Sequence, residues 1–471
     1  MNPESQPAIN VSDWNGPDDP DNPHNWPKWQ RLHHAIAPAL LGFAVTFGTS
    51  VFSPAIPDVM RAFAVSRTVA LLGITTYTLG LAFGPIITAP LSEGHGRKIV
   101  YLVSSPIFML FTLGAGFSRS LPSLLICRLL AGMAGSPSLA VGAGTNADLF
   151  VPHKRAVATS MFLAAPFTGP VLGPVIGGFL AQYKTWPWTQ WVQIFITLIA
   201  TLVALPMKET YKPIILKKRA RKHGLKMPDA PKGAKMKTAI VVKVVRPLHM
   251  LVAELPVLLF SLYTSFAFGT LFLFFAAFPF IFTRAPYAFS PSQSGLTFLS
   301  IGIGIALGVG TAVVVDKVMY QPRYQKALAA GNGYVAPEQR LYCAMMGSFG
   351  MVAGLFWFGW MSAQGRHWAV CLVGAVPFAW GNICVFTSTA LYLVDVYGPQ
   401  NGASAMAANG VLRYSFGAVF PLFTVQMYQG LGIGWATSLL GFVAVLLLPI
   451  PWVFFKWGPS IRAKSKYLTA G

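Results

Sequence analysis

Two arginines lie inside long uncharged stretches of the sequence, and their chemistry is the most demanding in the chain. Arg128 lies about 10 Å inside its stretch and Arg413 about 15 Å inside its own, at a helical rise of roughly 1.5 Å per residue. Each stretch is long enough to cross a bilayer. An arginine in the hydrocarbon core costs about 3 kcal/mol, so it is a functional-site candidate. The alternative for each is a structural role, in which backbone carbonyls of neighbouring helices satisfy the guanidinium.

The acidic residues and histidines, which could exchange a proton, lie outside the interior of the apolar stretches. The 14 acidic residues fall in the N-terminal segment, in loops or at the ends of apolar stretches, and none of the 8 histidines lies deep in one. Proton coupling usually needs a buried group that loads and releases a proton, so the residues themselves give it little support. The stretches also lack the histidine clusters or paired carboxylates of a membrane enzyme. We therefore predict no enzymatic activity, no catalytic residue, no metal site and no cofactor.

Aromatic and amide side chains in the apolar stretches suit the binding of a bulky, partly apolar small molecule. The predicted substrate-binding residues are Tyr77, Tyr263, Phe266, Trp380, Asn382, Asn409 and Arg413. For each aromatic residue the alternative is packing at a helix interface or in a lipid-facing belt. Arg413 keeps its positive charge in essentially any protein environment. Because no acidic residue is predicted at its depth, we expect neutral or acidic substrates rather than polyamines.

Charged residues near span ends and small residues within the spans, together with Arg128, form a predicted set for gating or coupling. Its members are Glu93, Arg97, Lys98, Arg128, Asp148, Gly173, Pro174 and Gly177. Opposite charges at neighbouring helix ends can lock one conformation, whereas the alternative is a basic anchor beside a tight turn. Glycines four residues apart allow close helix packing, and proline allows bending. Packing alone is a sufficient explanation for these small residues. The more specific alternative is that they form a hinge for a rocking motion.

The elements that must hold these residues are apolar helices. Hydrophobic residues make up 54% of the 471-residue chain and charged residues 10%, against roughly 25% charged in soluble domains, so lipid must cover most of the surface. The pattern predicts an all-α membrane protein with twelve transmembrane helices in two six-helix bundles. The predicted spans are 35–56, 68–92, 99–117, 121–147, 156–183, 185–207, 255–283, 285–315, 341–365, 367–394, 402–427 and 432–455.

The basic residues determine the predicted topology. A formal charge of +21 would suggest nucleic acid in a soluble protein, but basic residues of membrane proteins concentrate in cytoplasmic loops. With both termini in the cytoplasm, most of the 35 Lys and Arg residues lie inside. The predicted outside set is Arg61, Arg67, Arg119, Lys184, Arg284 and Arg366. We therefore expect the lipid bilayer, and no nucleic acid, as a partner.

These boundaries divide the chain into five segments. They are a cytoplasmic N-terminal tail (1–34), an N-terminal bundle (35–207), a basic cytoplasmic linker (208–253), a C-terminal bundle (254–456) and a cytoplasmic C-terminal tail (457–471). The acidic and polar composition of the N-terminal tail predicts disorder. Two six-helix halves joined by one linker predict a substrate site near the midplane between them.

Six short segments, taken in order, carry a resemblance to a known family. They are NPHNWP at 22–27, PLSEGHGRK at 90–98, GAGTNADLF at 142–150, KETYKP at 208–213, SAMAANGVLR at 404–413 and GWAT at 434–437. From about residue 22 to the C-terminus, the chain resembles the fungal twelve-span drug:proton antiporter family of the major facilitator superfamily. A glutamate that this branch often carries in the seventh span is absent, because Ala276 stands in its place.

The resemblance implies a two-bundle rocking fold and secondary active export of drugs, toxins or secondary metabolites, with protons as the coupling ion. It also implies a small-molecule substrate. An importer or uniporter of a small organic metabolite remains the alternative, because the sequence does not encode the direction of transport. We expect a monomer in the plasma membrane, with the vacuolar membrane as the alternative location.

Overall fold

The structure is a computed structural model that describes residues 13–151, 155–225, 236–331 and 335–467. The side chain of Glu93 lies outside the described part, so this predicted gating residue is not placed. Every regular element within the described ranges is a helix, and none of them is a strand.

Six helical spans form the N-terminal half. They are Lys28–Ser50, Arg67–His95, Arg97–Gly116, Leu121–Leu149, Arg155–Tyr183 and Trp188–Ala204. The first span begins earlier than predicted, because Lys28 and Arg31 extend the helix beyond the uncharged run. The fourth span changes from one helix to the next at Ser136, before Pro137, whose ring removes a backbone N–H from the helical ladder.

The C-terminal half contains six more spans. The seventh to the ninth are Leu255–Phe282, Pro291–Ala329 and Tyr342–Ala363. The last three follow one another almost without a loop, in Trp368–Gly398 and Asn401–Arg462. Gly398 and Gly432 have φ values of 59° and 75°, which only glycine adopts readily. These two glycines turn the chain, and Gly432 separates the eleventh span from the twelfth at the predicted place.

Length and composition show which of these helices can cross a membrane. Among the described residues, ten helical segments are long and apolar enough. One of them, Asn401–Arg462, holds two spans because Gly432 divides it. The 17-residue helix Trp188–Ala204 is a shorter apolar helix between the fifth span and the linker. Large apolar side chains such as Leu110 and Leu446 are 63% and 77% exposed, as lipid-facing residues are. The all-α membrane fold with twelve spans is therefore confirmed.

The described part of the N-terminal tail, from Asp13 onward, packs against the linker that joins the two halves. The described linker contains the helices Lys212–Lys222 and Met236–Ala253. Arg219 of the first helix places Nη1 2.8 Å from Asp19 Oδ2 and Nη2 2.6 Å from Asp21 Oδ2. The prediction of disorder is therefore wrong for this part of the tail. Its polar composition gave no sign of a binding partner 200 residues further along the chain.

Candidate substrate site and gates

Arg413 lies between the two halves, in the wall of a narrow cavity. The first and fifth spans line one side of this cavity, and the seventh and eleventh line the other. The lining residues are Thr46, Thr49, Pro166, Phe167, Pro170, Phe268, Phe272, Arg413 and Tyr414. The two halves therefore converge around the one predicted substrate-binding residue that carries a charge.

Three aromatic rings surround the Arg413 guanidinium. Its Cζ atom lies 4.7 Å from the ring centroid of Phe268, 4.6 Å from that of Phe386 and 4.5 Å from that of Tyr414. Such cation–π contacts contribute about 0.5–2 kcal/mol each but do not occupy the N–H donors. The buried Nε has no hydrogen-bond partner among the described residues. Arg413 therefore retains donor capacity for an acceptor on a bound molecule.

Arg128, in contrast, is fully engaged within the N-terminal half. Its side chain is completely buried. Nε donates to the carbonyl oxygen of Gly73 at 2.9 Å and Nη2 to that of Gly48 at 3.0 Å, while Nη1 lies 3.5 Å from Gln190 Oε1. The guanidinium thus joins the fourth span to the first, second and sixth. This geometry favours the structural alternative for Arg128 over direct contact with a substrate.

Tyr77 belongs to the same buried group. Its ring lies 4.5 Å from Arg128 Cζ. Its hydroxyl donates to the carbonyl of Val45 at 2.7 Å and accepts from Gln193 Nε2 at 3.0 Å. The structure therefore places Tyr77 inside the N-terminal half and not in the lining of the Arg413 cavity.

The two predicted asparagines connect the seventh span to its neighbours. Asn382 Nδ2 donates to the carbonyl of Ala267 at 2.8 Å. Asn409 Nδ2 donates to Thr264 Oγ1 at 2.7 Å, and Asn409 Oδ1 is buried without a partner in the described part of the chain. Both side chains are buried, so they hold the C-terminal half together in this conformation.

The predicted aromatic residues of the C-terminal half also make helix contacts. Trp380 Nε1 donates to Thr311 Oγ1 at 2.9 Å, which joins the tenth span to the eighth. Tyr263 is fully buried, and Phe266 packs edge-on against Phe420 at 6.4 Å. Tyr263 and Phe266 belong to the seventh span, whereas Trp380 lies between the tenth span and the eighth. All three lie outside the lining of the Arg413 cavity, and their binding role stays a prediction.

Sequence reasoning missed most of the cavity wall. Phe268, Tyr414 and Phe167 meet around Arg413, and Phe167 of the N-terminal half lies 5.1 Å from Phe386 of the C-terminal half. Nothing in a single sequence distinguishes Phe268, Phe167 and Phe386 from the rest of the 35 phenylalanines. The one available signal was the position of Tyr414 directly after an arginine in a membrane span.

A cluster of charged side chains lies at the end of the N-terminal half that the sequence predicts to be cytoplasmic. Arg97 Nε lies 3.3 Å from Asp148 Oδ2, and the two side chains are 14% and 21% exposed. Arg97 Nη1 donates to Ser92 Oγ at 3.0 Å, and Thr210 Oγ1 donates to the same oxygen of Asp148 at 3.3 Å. The structure thus brings together two predicted gating residues, although their role in gating stays a prediction.

Glu209 is the member of this cluster that the sequence did not reveal. Its two carboxylate oxygens accept from the backbone N–H groups of Arg97 at 2.9 Å and Lys98 at 3.2 Å, the first residues of the third span. The carboxylate therefore caps a helix N-terminus, which favours negative charge. Gly96 has a φ of 99°, and a Cβ there would lie 2.2 Å from Glu209 Oε2, so the carboxylate approaches a position that only glycine permits.

The two halves are joined at the ends of their spans that are predicted to face outward, called the outer ends below. Four hydrogen bonds cross between the halves in the described residues, and all lie toward that side. They are Ser53 to Phe275 at 2.6 Å, Thr75 to Ala418 at 2.7 Å, Gln426 to Thr68 at 2.9 Å and Ser292 to Gln182 at 3.2 Å. The outer side of the Arg413 cavity is thus closed in this conformation.

Glycines permit the closest approach at this outer contact. A Cβ at Gly178 of the fifth span would lie 2.5 Å from the carbonyl oxygen of Pro291, and one at Gly295 of the eighth would lie 2.3 Å from that of Pro174. Pro174, a predicted gating residue, therefore touches the opposite half through its backbone.

The other two predicted small residues face the first span. A Cβ at Gly173 would lie 1.8 Å from Ser50 Oγ, and one at Gly177 would lie 2.4 Å from the carbonyl oxygen of Val51. These distances are far below van der Waals contact, so the fifth span packs against the first at backbone range. The fifth span therefore contacts its own half and the other half through neighbouring positions.

Two helical halves with a cavity at their interface have the architecture of a secondary transporter rather than an enzyme. The sequence profile of the Major Facilitator Superfamily matches residues 39–421, and the chain belongs to this superfamily. It is an integral membrane protein that carries a small-molecule substrate.

Named relatives support this assignment. Polyamine transporter 4 of Saccharomyces cerevisiae is 40% identical over 97% of this chain and 73% of its own length. Efflux pump FUBT of Fusarium oxysporum is 40% identical, with 96% and 76% covered. The major facilitator superfamily multidrug transporter FLU1 of Candida albicans is 36% identical, with 96% and 75% covered.

A solved structure shares the fold. The proton:xylose symporter XylE, bound to 6-bromo-6-deoxy-D-glucose, matches with a TM-score of 0.66 over 91% of this chain and 97% of its own. The identity is 16%, so the likeness concerns the fold alone.

Proposed function

We propose that this protein exports neutral or weakly acidic organic molecules from the cytoplasm, as a secondary transporter of the fungal drug-efflux type. The observation that carries the proposal is the position of Arg413. It is a permanent positive charge at the interface of the halves, with three aromatic rings around it and no hydrogen-bond partner on Nε among the described residues. Relatives named efflux pump and multidrug transporter support the export of organic compounds.

The charge argument follows from the chemistry of the cavity wall. A guanidinium in a low-dielectric cavity repels a cationic substrate and donates to a carboxylate, carbonyl or hydroxyl oxygen. The lining threonines, Thr46 and Thr49, add polar groups, and the phenylalanines add apolar surface. Such a wall suits a partly apolar molecule with one oxygen-rich end.

Polyamine export is the second candidate function. It is favoured by one observation, the 40% identity to a relative named Polyamine transporter 4. The rings that hold Arg413 could hold an ammonium group by the same cation–π attraction. An ammonium group would first have to displace the arginine from Phe268, Phe386 and Tyr414, which would add to its cost of binding.

The proposal also covers the direction of transport, the coupling ion and the membrane in which the protein lies. Because the outer ends are closed in this conformation, we expect substrate to enter the cavity from the cytoplasm. We expect proton antiport, a monomeric transporter and a plasma-membrane location, because export from the cell requires that membrane. Import or uniport of an organic metabolite is the alternative, and retention of substrate in the vacuole would indicate the vacuolar membrane. Efflux from preloaded cells at imposed pH gradients, with fluorescence microscopy of a tagged chain, tests these points.

The deciding experiment compares two substrates that share one apolar skeleton, one with a carboxylate and one with an ammonium group. Efflux of each from preloaded transporter-deficient yeast is measured with the native chain, Arg413→Gln and Arg413→Lys. We expect the native chain to favour the anion and Arg413→Gln to lose that preference, with Arg413→Lys intermediate. Arg119→Gln, which removes an exposed outer charge, is the matched control.

Two outcomes would contradict the proposal. Efficient spermidine efflux by the native chain, unchanged or reduced in Arg413→Gln, would favour polyamine export. Equal loss of both substrates in Arg413→Gln with normal surface expression would show that Arg413 supports the fold or the transport cycle rather than substrate choice.

A further inference from the structure

The chain segment after the last span folds back onto a buried carboxylate. Glu254 is 1% exposed and lies between the linker helix Met236–Ala253 and the seventh span Leu255–Phe282. Ser465 Oγ donates to Glu254 Oε2 at 2.6 Å, and the backbone N–H of Lys466 donates to Oε1 at 2.8 Å. The Tyr397 hydroxyl, at the end of the tenth span, donates to Oε2 at 2.8 Å. Glu254 thus holds three parts of the chain at one point.

The same segment also holds the linker helix. The Tyr467 hydroxyl lies 2.7 Å from His249 Nδ1, and the two rings meet edge-on at 5.9 Å. His249 belongs to the helix that leads from the N-terminal half into the seventh span. Docking of residues 463–467 therefore fixes both the linker helix and the cytoplasmic ends of two spans.

Ser465 is partly exposed and stands among basic residues. Lys464 and Lys466 on either side of it are exposed, whereas Arg462, three residues before it, is buried and paired with Glu338 at 2.9 Å. The predicted topology places all of them in the cytoplasm. Basic residues flanking a serine suit the acidic substrate grooves of basophilic serine/threonine protein kinases, since charge pattern contributes to kinase specificity.

We propose that Ser465 is a phosphorylation site, and that its phosphorylation releases the C-terminal segment from Glu254. The kinase transfers the γ-phosphoryl group of ATP to Ser465 Oγ. The bond from the γ-phosphorus to the bridging oxygen breaks, a phosphorus–oxygen bond to Ser465 forms, the hydroxyl proton leaves to the kinase base, and ADP departs.

The contact with Glu254 makes the two states exclusive. The hydroxyl proton that bonds to the carboxylate is lost, and a group with a charge of about −1.5 to −2 takes its place. At the 2.6 Å separation of the present oxygens, this group would meet a buried carboxylate of like charge. Outside the site, the exposed ammonium groups of Lys464 and Lys466 stand beside the phosphate. Phosphorylation therefore destabilises the docked segment, through repulsion by Glu254, and stabilises the undocked segment, through attraction to the two lysines.

Hydrogen exchange on the full-length transporter in nanodiscs tests the proposal. The protein is incubated with MgATP and the catalytic subunit of a basophilic kinase, phosphate is located by mass spectrometry, and amide exchange is followed in the peptide that contains residues 463–467. We expect phosphate on Ser465 and exchange of the Lys466 amide faster by about tenfold or more, because its hydrogen bond to a charged group is lost. Ser465→Ala should take up no phosphate at this position.

Matched variants separate the specific effect from a general effect of charge. Ser465→Asp should speed exchange as phosphorylation does. Ser460→Asp, at an exposed position in the last helix before this segment, should leave exchange within about twofold, since exposed charges interact weakly. In Glu254→Gln the segment should exchange faster from the start, and phosphorylation should add little. The proposal is overturned when folded transporter takes up no phosphate on Ser465, or when phosphorylated Ser465 leaves exchange of the Lys466 amide slow.

Discussion

Arg128 Nη2 donates to the carbonyl oxygen of Gly48 at 3.0 Å, and this bond links the fourth span to the first in the middle of the N-terminal half. With the bond from Nε to Gly73, it satisfies a charge that would otherwise be unpaired in an apolar environment. The arginine therefore holds carbonyl groups of two different spans through separate nitrogen atoms of one side chain.

The first prediction follows from this pair of bonds. Arg128→Met should lower the stability of the folded transporter by at least about 2 kcal/mol, because it removes two hydrogen bonds from a charged donor to buried carbonyl oxygens. The apparent melting temperature from fluorescence-detected size exclusion measures this loss. Arg119→Met, at an exposed outer position, is the control. Normal melting of Arg128→Met combined with lost transport would instead assign Arg128 to coupling.

The second prediction concerns the cytoplasmic cluster. Arg97→Ala should reduce transport severalfold without loss of surface expression, because it removes the partner of Asp148 from a partly buried pair, whose contribution exceeds the roughly 0–1 kcal/mol of an exposed pair. Glu209→Gln should act in the same direction, since it weakens the cap on the third span. Efflux and surface biotinylation are measured on the same cells.

The control for this prediction is Arg61→Ala. Arg61 pairs with Asp58 at the outer side, and its side chain is 80% exposed, so its loss should leave transport unchanged. Unchanged transport in Arg97→Ala would return this arginine to the role of a basic anchor beside a turn.

The spans could be predicted from the sequence because lipid imposes a simple rule on them. Uncharged runs of sufficient length have to cross the membrane, and the break at Gly432 follows from small and polar residues. The rule fails where charged residues extend a helix, as Lys28 and Arg31 do at the first span. Composition therefore predicts the number of helices better than the residue at which each helix begins.

The interior of the bundle could not be predicted in the same way. Tyr77 and Tyr263 are both fully buried. A buried aromatic side chain can face either a substrate path or another helix, and because lipid is excluded from both places, the sequence does not distinguish them. The pairing of Arg128 with Gly48 depends on backbone atoms of a distant span, which carry no sequence signal. Glu209 lies at the start of the predicted linker, and nothing in the sequence there indicates that its carboxylate caps the third span.

The third prediction concerns the N-terminal tail and its dependence on pH. Burial acts to raise the pKa of Asp19, but hydrogen bonds from Arg219 and from the backbone of Asn15 and Asp21 outweigh it, and the pKa is lowered. A lowered pKa stabilises docking above the ordinary value of about 3.9 and loses this effect as pH falls through the folded value. We therefore expect the part of the tail around Asp19 to stay docked between pH 5 and 8 and to become protease-sensitive only below about pH 4.

A substitution tests the same contact at neutral pH. Asp19→Asn should weaken docking by about 3 kcal/mol, because it leaves the buried Arg219 guanidinium with one fewer charged partner. Asp18→Asn, at the neighbouring exposed position, should leave proteolysis of the tail unchanged. Release of the native tail between pH 5 and 7 would show that another titrating group controls docking.

The last prediction concerns the outer contact between the halves. In Gly295→Ala the new Cβ would lie 2.3 Å from the carbonyl oxygen of Pro174, a distance that side-chain rotation cannot relieve because the obstacle is backbone. The halves must therefore separate at this end, and the outward-closed state loses stability relative to the outward-open one. Cysteine labelling from outside the cell at Thr68, beside the bond to Gln426, should rise severalfold, while efflux falls.

Gly310→Ala is the matched control for this test. Gly310 lies in the same span, and a Cβ there meets nothing within 4 Å, so the control adds the same methyl group without a clash. Both variants carry the same cysteine substitution at Thr68, so its own effect cancels in the comparison. Equal labelling of Gly295→Ala and Gly310→Ala would mean that the outer contact tolerates an added methyl group, and that these glycines do not determine closure.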